Sequence, residues 1–245
     1  MNKSKINSFF RKFGFEVHGT GYIQSVLKQS FKEDAFKVQH DLVEEPQVIF
    51  DLGANRGNTV FNYLELFPNA KIYAFEPFPE SFQTLTEKYR FDSRVQCFQI
   101  AISENQGVKT FYVNQNQDTN SLLKPTTTGL SSDRQVQNKS ELNVETISLD
   151  LFCKEKQIPG IDILKMDIQG GELGALKGAE QLLTDKKIKL IFTETYFTQQ
   201  YENQPLFHSI SDFLYNYGFT LQDIYSPIYG KGNLAWADVI FKLKK

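Results

Sequence analysis

The sequence predicts an α/β fold: a mostly parallel, twisted sheet with helices on both faces and an antiparallel edge strand. Three observations carry this expectation. From residue 46 onward, short runs of β-branched and aromatic residues alternate with stretches of helical periodicity. The first strand runs through a glycine loop straight into a helix, in VIFDLGANRGNT. The last two strands are separated only by SPIYGKGNLA, too short for the helical crossover that parallel pairing needs.

Taken in order, residues 1–45 read as a helical lead-in that ends at Glu44-Glu45-Pro46, before a domain spanning 46–245. Within it Ile6, Phe9, Phe10 and Phe13 fall at i, i+3, i+4 and i+7 among Lys3, Lys5, Arg11 and Lys12. Such a stripe is expected to pack on the domain, with peripheral contact of 1–15 on an anionic membrane surface as the alternative. VIFDL (48–52) has the composition of a strand buried on both faces, and Asn58-Thr59 are placed to cap the helix from Val60 to Phe67. Strands are then expected at KIYAFE (71–76), VQCFQIAI (95–102) and VKTFYV (108–113), with a helix from Pro79 to Tyr89 between the first two. Asn114 to Asn143, rich in Asn, Gln, Ser and Thr without a sustained period, reads as a long loop lying over the site. Helices at 148–156, 172–183 and 205–217 alternate with strands IDILKMD (161–167), KLIFTET (189–195), FTLQDIY (219–225) and WADVIFKL (236–243).

Composition excludes several function classes. The chain has 27 Lys+Arg against 29 Asp+Glu, a net charge of -2, and so lacks the basic field that nucleic acid binding uses. Cys97 and Cys153 are the only cysteines, too few for a disulfide framework and outside any zinc-like spacing, which suits a reduced, cytoplasmic protein. No apolar run reaches membrane-spanning length, and no secretory signal is expected. Nothing in the pattern sets an oligomeric state.

Open parallel sheets bind ligands at the carboxyl ends of their strands. Those ends are Asp51, Glu76, Ala101-Ile102, Asp167 and Glu194. Glu76 follows Gly57 by 19 positions, close to the spacing of about 20 at which a second-strand acid meets ribose hydroxyls. The loop reads Gly53-Ala54-Asn55-Arg56-Gly57, with Asn55 where a dinucleotide fold has its second glycine. The pyrophosphate cradle is thereby degraded, whereas a nucleoside without phosphates, such as S-adenosylmethionine, tolerates the change. A dinucleotide-dependent oxidoreductase is the rival reading, and a non-catalytic cofactor-binding scaffold a further one.

The segments DLGANRGNTV, YAFEPFPESF, FQIAISENQGVKTFYV, TNSLL, ETISLDLF, IDILKMDIQGGELGALKGAEQLL, IFTET and YGFTL resemble, in order and spacing, the FkbM family of S-adenosylmethionine-dependent methyltransferases. The resemblance covers about residues 46–225. It implies a Rossmann-like class I methyltransferase fold and transfer of a methyl group to an oxygen, often a sugar hydroxyl of a glycan or natural product. It also implies that Asp51 and Gly53 attend the methionine end, that Glu76 holds the ribose, and that the backbone at Ala101 and Ile102 meets adenine; Asn55 and Gly57 of the loop are further cofactor-binding candidates. The family commonly has an acid where Gln169 stands, a departure that leaves Asp167 and Glu172 as the better acidic candidates.

Methyl transfer is an in-line displacement, and an alcohol acceptor must lose a proton, so a base or an acidifying metal is expected nearby. Asp167, Glu172 and Glu194 are the candidates. Asp167 has the strongest case, because a strand-end acid facing a crevice has no local structural duty, while Glu172 is equally well read as charge compensation at a helix start. Three such acids on one rim would also suit a divalent ion, although no metal is assigned. His18, His40 and His208 have no motif around them, and His208 reads as a surface or capping residue. Tyr196, Phe197 and Tyr201 read as packing more readily than as a sugar-stacking platform.

Overall fold

The structure is a computed structural model that describes residues 34–126, 136–230 and 232–244. The amphipathic stretch at 1–15 and His18 lie outside these residues. Ala35–Lys245 form one compact unit, which includes helix α1 (Ala35–Leu42).

Its centre is a seven-stranded sheet in the order β3 (Val95–Phe98), β2 (Lys71–Phe75), β1 (Val48–Leu52), β7 (Ile161–Met166), β8 (Ile188–Tyr196), β10 (Asn233–Leu243), β9 (Phe219–Gly230). From β3 to β8 every pairing is parallel, and β10 runs antiparallel to both of its neighbours. The reversed strand thus sits one place in from the edge, with β9 outermost. All six residues of β7 are buried, Asp162 and Lys165 included. Phe50 and Leu52 of β1 face one core layer, with α4 (Leu149–Lys156), α5 (Glu172–Lys177), α6 (Glu180–Thr184) and α7 (Phe207–Asn216). Ile49 faces the other, with α1, α2 (Asn58–Leu66) and α3 (Pro79–Tyr89). Because the strand order turns back between β1 and β7, a crevice opens at their carboxyl ends.

Four features differ from expectation. VQCFQIAI breaks after Phe98, and Ala101–Ile102 form β4 in a second, three-stranded sheet with β5 (Gly107–Asn114) and β6 (Asn138–Ile147). Strand β6, antiparallel to β5, occupies sequence read as loop; its first six residues are polar or only partly buried, so no apolar alternation announces it. The helix expected at 172–183 is split at Gly178, where a Cβ would come within 2.3 Å of the Ser103 carbonyl oxygen. Gly57, rather than Asn58 or Thr59, stands at the N-cap of α2, with no side-chain cap.

Candidate active site

The crevice is a cleft of about 310 Å³ lined by Gly53 to Arg56 of the glycine loop, the ends of β2 and β7, β4, and Gln117, Asp118, Asn120 and Leu122. After Leu52 the chain turns sharply, and the N–H groups of Gly53 and Ala54 both donate to the Phe75 carbonyl at 3.0 Å. Gly53 has φ +74°, and a Cβ there would lie 2.0 Å from the Asp167 carbonyl oxygen. The protein itself, through the backbone after β7, therefore demands this glycine. Gly53 lines the cleft, whereas Gly57 does not: its φ is +77° and a Cβ there would strike the Tyr89 ring at 2.5 Å. Asn55 does line it, in the left-handed region at φ +48°, which asparagine tolerates better than most residues. Its side chain accepts from Ser81 Oγ at 2.9 Å and donates to Asp118 Oδ1 at 2.8 Å. Arg56 reaches Gln117 at 3.1 Å, so two bonds tie the 3-10 turn Gln117–Thr119 to the glycine loop. Of the expected lid, Gln117, Asp118, Asn120 and Leu122 border the cleft; residues 127–135 lie outside the described ones.

Asp51 does not line the cleft. It is fully buried, with Lys165 Nζ 2.8 Å from its Oδ1, while Oδ2 has no hydrogen-bond partner among the described residues. Burial pushes its carboxyl up, partly offset by Lys165. The ammonium also donates to the carbonyls of Gly53 at 3.2 Å and Leu52 at 3.4 Å, stitching β7 to the start of the loop. Sequence reasoning missed Lys165; the signal was a lone cation within the apolar run IDILKM, which must pair when buried.

Glu76 sits on the cleft wall, 6% exposed. Its Oε2 accepts from the Asn55 N–H at 2.9 Å and its Oε1 from the Phe78 N–H at 2.8 Å. Each oxygen keeps further acceptor capacity, enough for a pair of hydroxyl donors. Burial pushes this carboxyl up to about 7 despite those two N–H donors. Beside it Ile100, Ala101, Ile102, Phe111 and Leu122 make an apolar end of the cleft.

The other end is polar. Asp167 lines the cleft at the end of β7, half-buried. Gln169, 5% exposed and held at φ +53°, donates from Nε2 to Asp167 Oδ1 and to Glu194 Oε2, both at 2.8 Å. Its Oε1 faces the hydroxyls of Tyr196 and Tyr201, each at 2.9 Å. The tyrosines are therefore buried hydrogen-bonding partners and do not form a stacking platform. Glu194 sits behind this amide, outside the cleft lining, and is contacted by the Tyr196 hydroxyl. Glu172 is turned into its own loop, 1% exposed and accepting from the Ile168 N–H at 3.1 Å, with its carboxyl pushed up to about 7 by burial. Neither acid lines the cleft. Asp238, unremarked in the sequence, pairs across from Glu194 on β10, and burial with Asp167 nearby pushes it up to about 6. His208 and His40 are exposed and lie outside the cleft lining. Among the described residues no group of three or more His, Cys, Asp or Glu is arranged to hold a metal ion, and no helix is long and apolar enough to cross a membrane. Cys97 and Cys153 are free thiols.

These raised carboxyls set a pH dependence. A buried acid whose folded pKa lies above its unfolded value favours folding at low pH, and that contribution is lost as pH rises through the folded value. Glu76 and Glu172 at about 7, with Asp238 at about 6, all act in this sense. The ligand-free protein is expected to melt at a lower temperature at pH 8 than at pH 6. Scanning calorimetry giving equal or higher melting at pH 8 would contradict those placements.

Comparison with known proteins agrees with the geometry. The model of the methyltransferase FkbM domain matches residues 51–221. A 2-O-methyltransferase, NoeI, from Sinorhizobium fredii is 30% identical over 188 residues, covering 74% of this chain and 76% of that protein. A hexuronic acid methyltransferase, AglP, from Haloferax volcanii is 26% identical over 170 residues, covering 69% of this chain and 65% of that protein. The crystal structure of a methyltransferase FkbM from Methylobacillus flagellatus superposes with a TM-score of 0.51 at 14% identity. That match covers 80% of this chain and 43% of the solved chain, and it supports the fold. With the strand order, the glycine loop and a family match across most of its length, the chain belongs to the FkbM family of methyltransferases.

Proposed function

We propose that the protein uses S-adenosylmethionine to methylate a hydroxyl of a sugar, in a glycan or a glycosylated small molecule, in the cytoplasm. The observation that carries this reading is that two strand-end carboxylates, Glu76 and Asp167, line one cleft on either side of the glycine loop. The residues present fit the cofactor. Glu76 retains acceptor capacity for a ribose diol, the apolar end at Ala101, Ile102 and Phe111 suits a purine, and the polar end at Asn55, Asn58 and Thr59 suits an amino-acid tail. When bound, S-adenosylmethionine supplies an electrophilic methyl group on a sulfonium. Asp167, half-buried at the polar end, holds the acceptor hydroxyl and takes its proton, and residues 117–122 keep water from the cleft. The sugar acceptor is supported by the names of the two relatives above, which act on saccharide groups or as a 2-O-methyltransferase.

Glu76→Ala removes both acceptors of the diol. Affinity for S-adenosylhomocysteine is expected to fall by on the order of 2 kcal/mol, roughly thirtyfold, in calorimetric titration. A folded variant with unchanged affinity removes Glu76 from the ribose site. The acceptor is tested by mass spectrometry of glycans from cells lacking the gene: one lost methyl group supports the reading, and an unaltered methylation pattern counts against it.

A further inference from the structure

We propose that Gln169 is a positioning residue for Asp167, its side-chain amide bridging Asp167 and Glu194 and aiming Asp167 into the cleft. This rests on the reading of Asp167 as the group that takes the acceptor proton. Two carboxylates this close repel one another, and one of them ordinarily takes up a proton. The Gln169 amide answers with its two N–H groups, one to each acid at 2.8 Å. Its orientation is fixed by charge: turned over, the carbonyl oxygen would face two carboxylates and the NH₂ group two hydroxyls. In the orientation present, the oxygen faces the hydroxyls of Tyr196 and Tyr201 instead.

The backbone serves the same end. Gln169 adopts φ +53°, followed by Gly170 at φ +98°, and this reversal swings the side chain back between the ends of β7 and β8. Ser121 Oγ donates to the Gln169 carbonyl at 2.7 Å, and the single proton of the Tyr201 hydroxyl is shared between Gln169 Oε1 and the Thr119 carbonyl, 2.8 Å away. The segment bordering the cleft is thus anchored to the same residue that orients Asp167. An acid at position 169 has no N–H to give either neighbour and would add a third negative charge. An amide of this length supplies both donors and no charge.

Asp167 has other charged and titratable neighbours, and the test must separate Gln169 from them. Lys165 on β7 and Asp51 on β1 face it from one side, Glu172 from α5, and Glu194, Tyr196 and Asp238 from β8 and β10. None of these is altered in the experiment.

The full chain, labelled with ¹³C at aspartate carboxyls, is titrated by NMR, and the Asp167 resonance is identified as the one that Asp167→Asn removes. Gln169→Met, which keeps length and removes both donors, is expected to raise the pH at which Asp167 titrates, relative to the parent, by about half a unit or more. Gln169→Glu is expected to raise it further, by about one unit or more, because a like charge is added to the lost donors. If Gln169→Glu fails to fold, the Met variant decides alone. Parent-like titration in a folded Gln169→Met overturns the proposal. The two readings fail separately: an upward shift with full turnover in Asp167→Asn keeps the positioning role and removes Asp167 as base, whereas no shift with lost turnover does the reverse.

Discussion

Asp167→Asn is expected to lower turnover by about a hundredfold or more while leaving affinity for S-adenosylhomocysteine nearly unchanged. Asparagine keeps the shape and can still accept from Gln169 Nε2, so the loop from 168 to 172 has no reason to rearrange. What disappears is the negative charge on the cleft wall and its capacity to take a proton. The neighbouring acids do not replace it: Glu172 is closed onto the Ile168 N–H and Glu194 lies behind the Gln169 amide. The measurement is release of S-adenosylhomocysteine with acceptor glycans extracted from the source cells, under conditions where chemistry limits the rate. Chelator is expected to leave the parent rate unchanged; a rate lost in chelator and recovered with magnesium would assign Asp167 to a metal instead. Parent-like turnover in the variant would make Asp167 structural.

The second large effect falls on stability. Gly53→Val places a β-branched residue at φ +74° with its Cβ 2.0 Å from the Asp167 carbonyl oxygen. Left-handed strain and collision with backbone add up to about 3–5 kcal/mol. That is a large share of the about 5–15 kcal/mol by which folded domains are held. The obstacle is backbone, not the end of a flexible side chain, so the β1 and β7 ends must separate to relieve it. Since the same carbonyl turn carries Asp167 into the cleft, any variant that does fold is expected to lose ligand affinity as well. Denaturant unfolding monitored by circular dichroism checks the first part. Parent-like stability would mean that the loop and β7 are not apposed in this way.

The central strands were legible because β1, β2 and β7 are largely buried and each carries a cluster of β-branched, aromatic or other apolar residues. Strand β6 was not, since its exposed half is polar and its pairing with β5 is supplied from outside the segment. The glycine loop was recognisable as a place needing positive φ. Which atom crowds each glycine is a tertiary fact, however: the Asp167 carbonyl for Gly53 and the Tyr89 ring for Gly57. Glu76 and Asp167 were legible from strand-end position, and both line the cleft. Asp51 looked equivalent by the same rule, yet its side chain lies on the face that carries Lys165 across the β1–β7 register. Gln169 stood out only as a departure from a familiar pattern. Its contacts join β7, β8 and the loop containing Tyr201, and no local window of sequence contains all three.

The central claim is that one cleft holds the nucleoside at Glu76 and the accepting hydroxyl at Asp167. A crystal structure with S-adenosylhomocysteine tests it most directly. The account predicts both ribose hydroxyls on the Glu76 carboxylate, the base between Ala101 and Phe111, and the sulfur facing Asp167. A ligand seated elsewhere, or with its ribose turned away from Glu76, would contradict it.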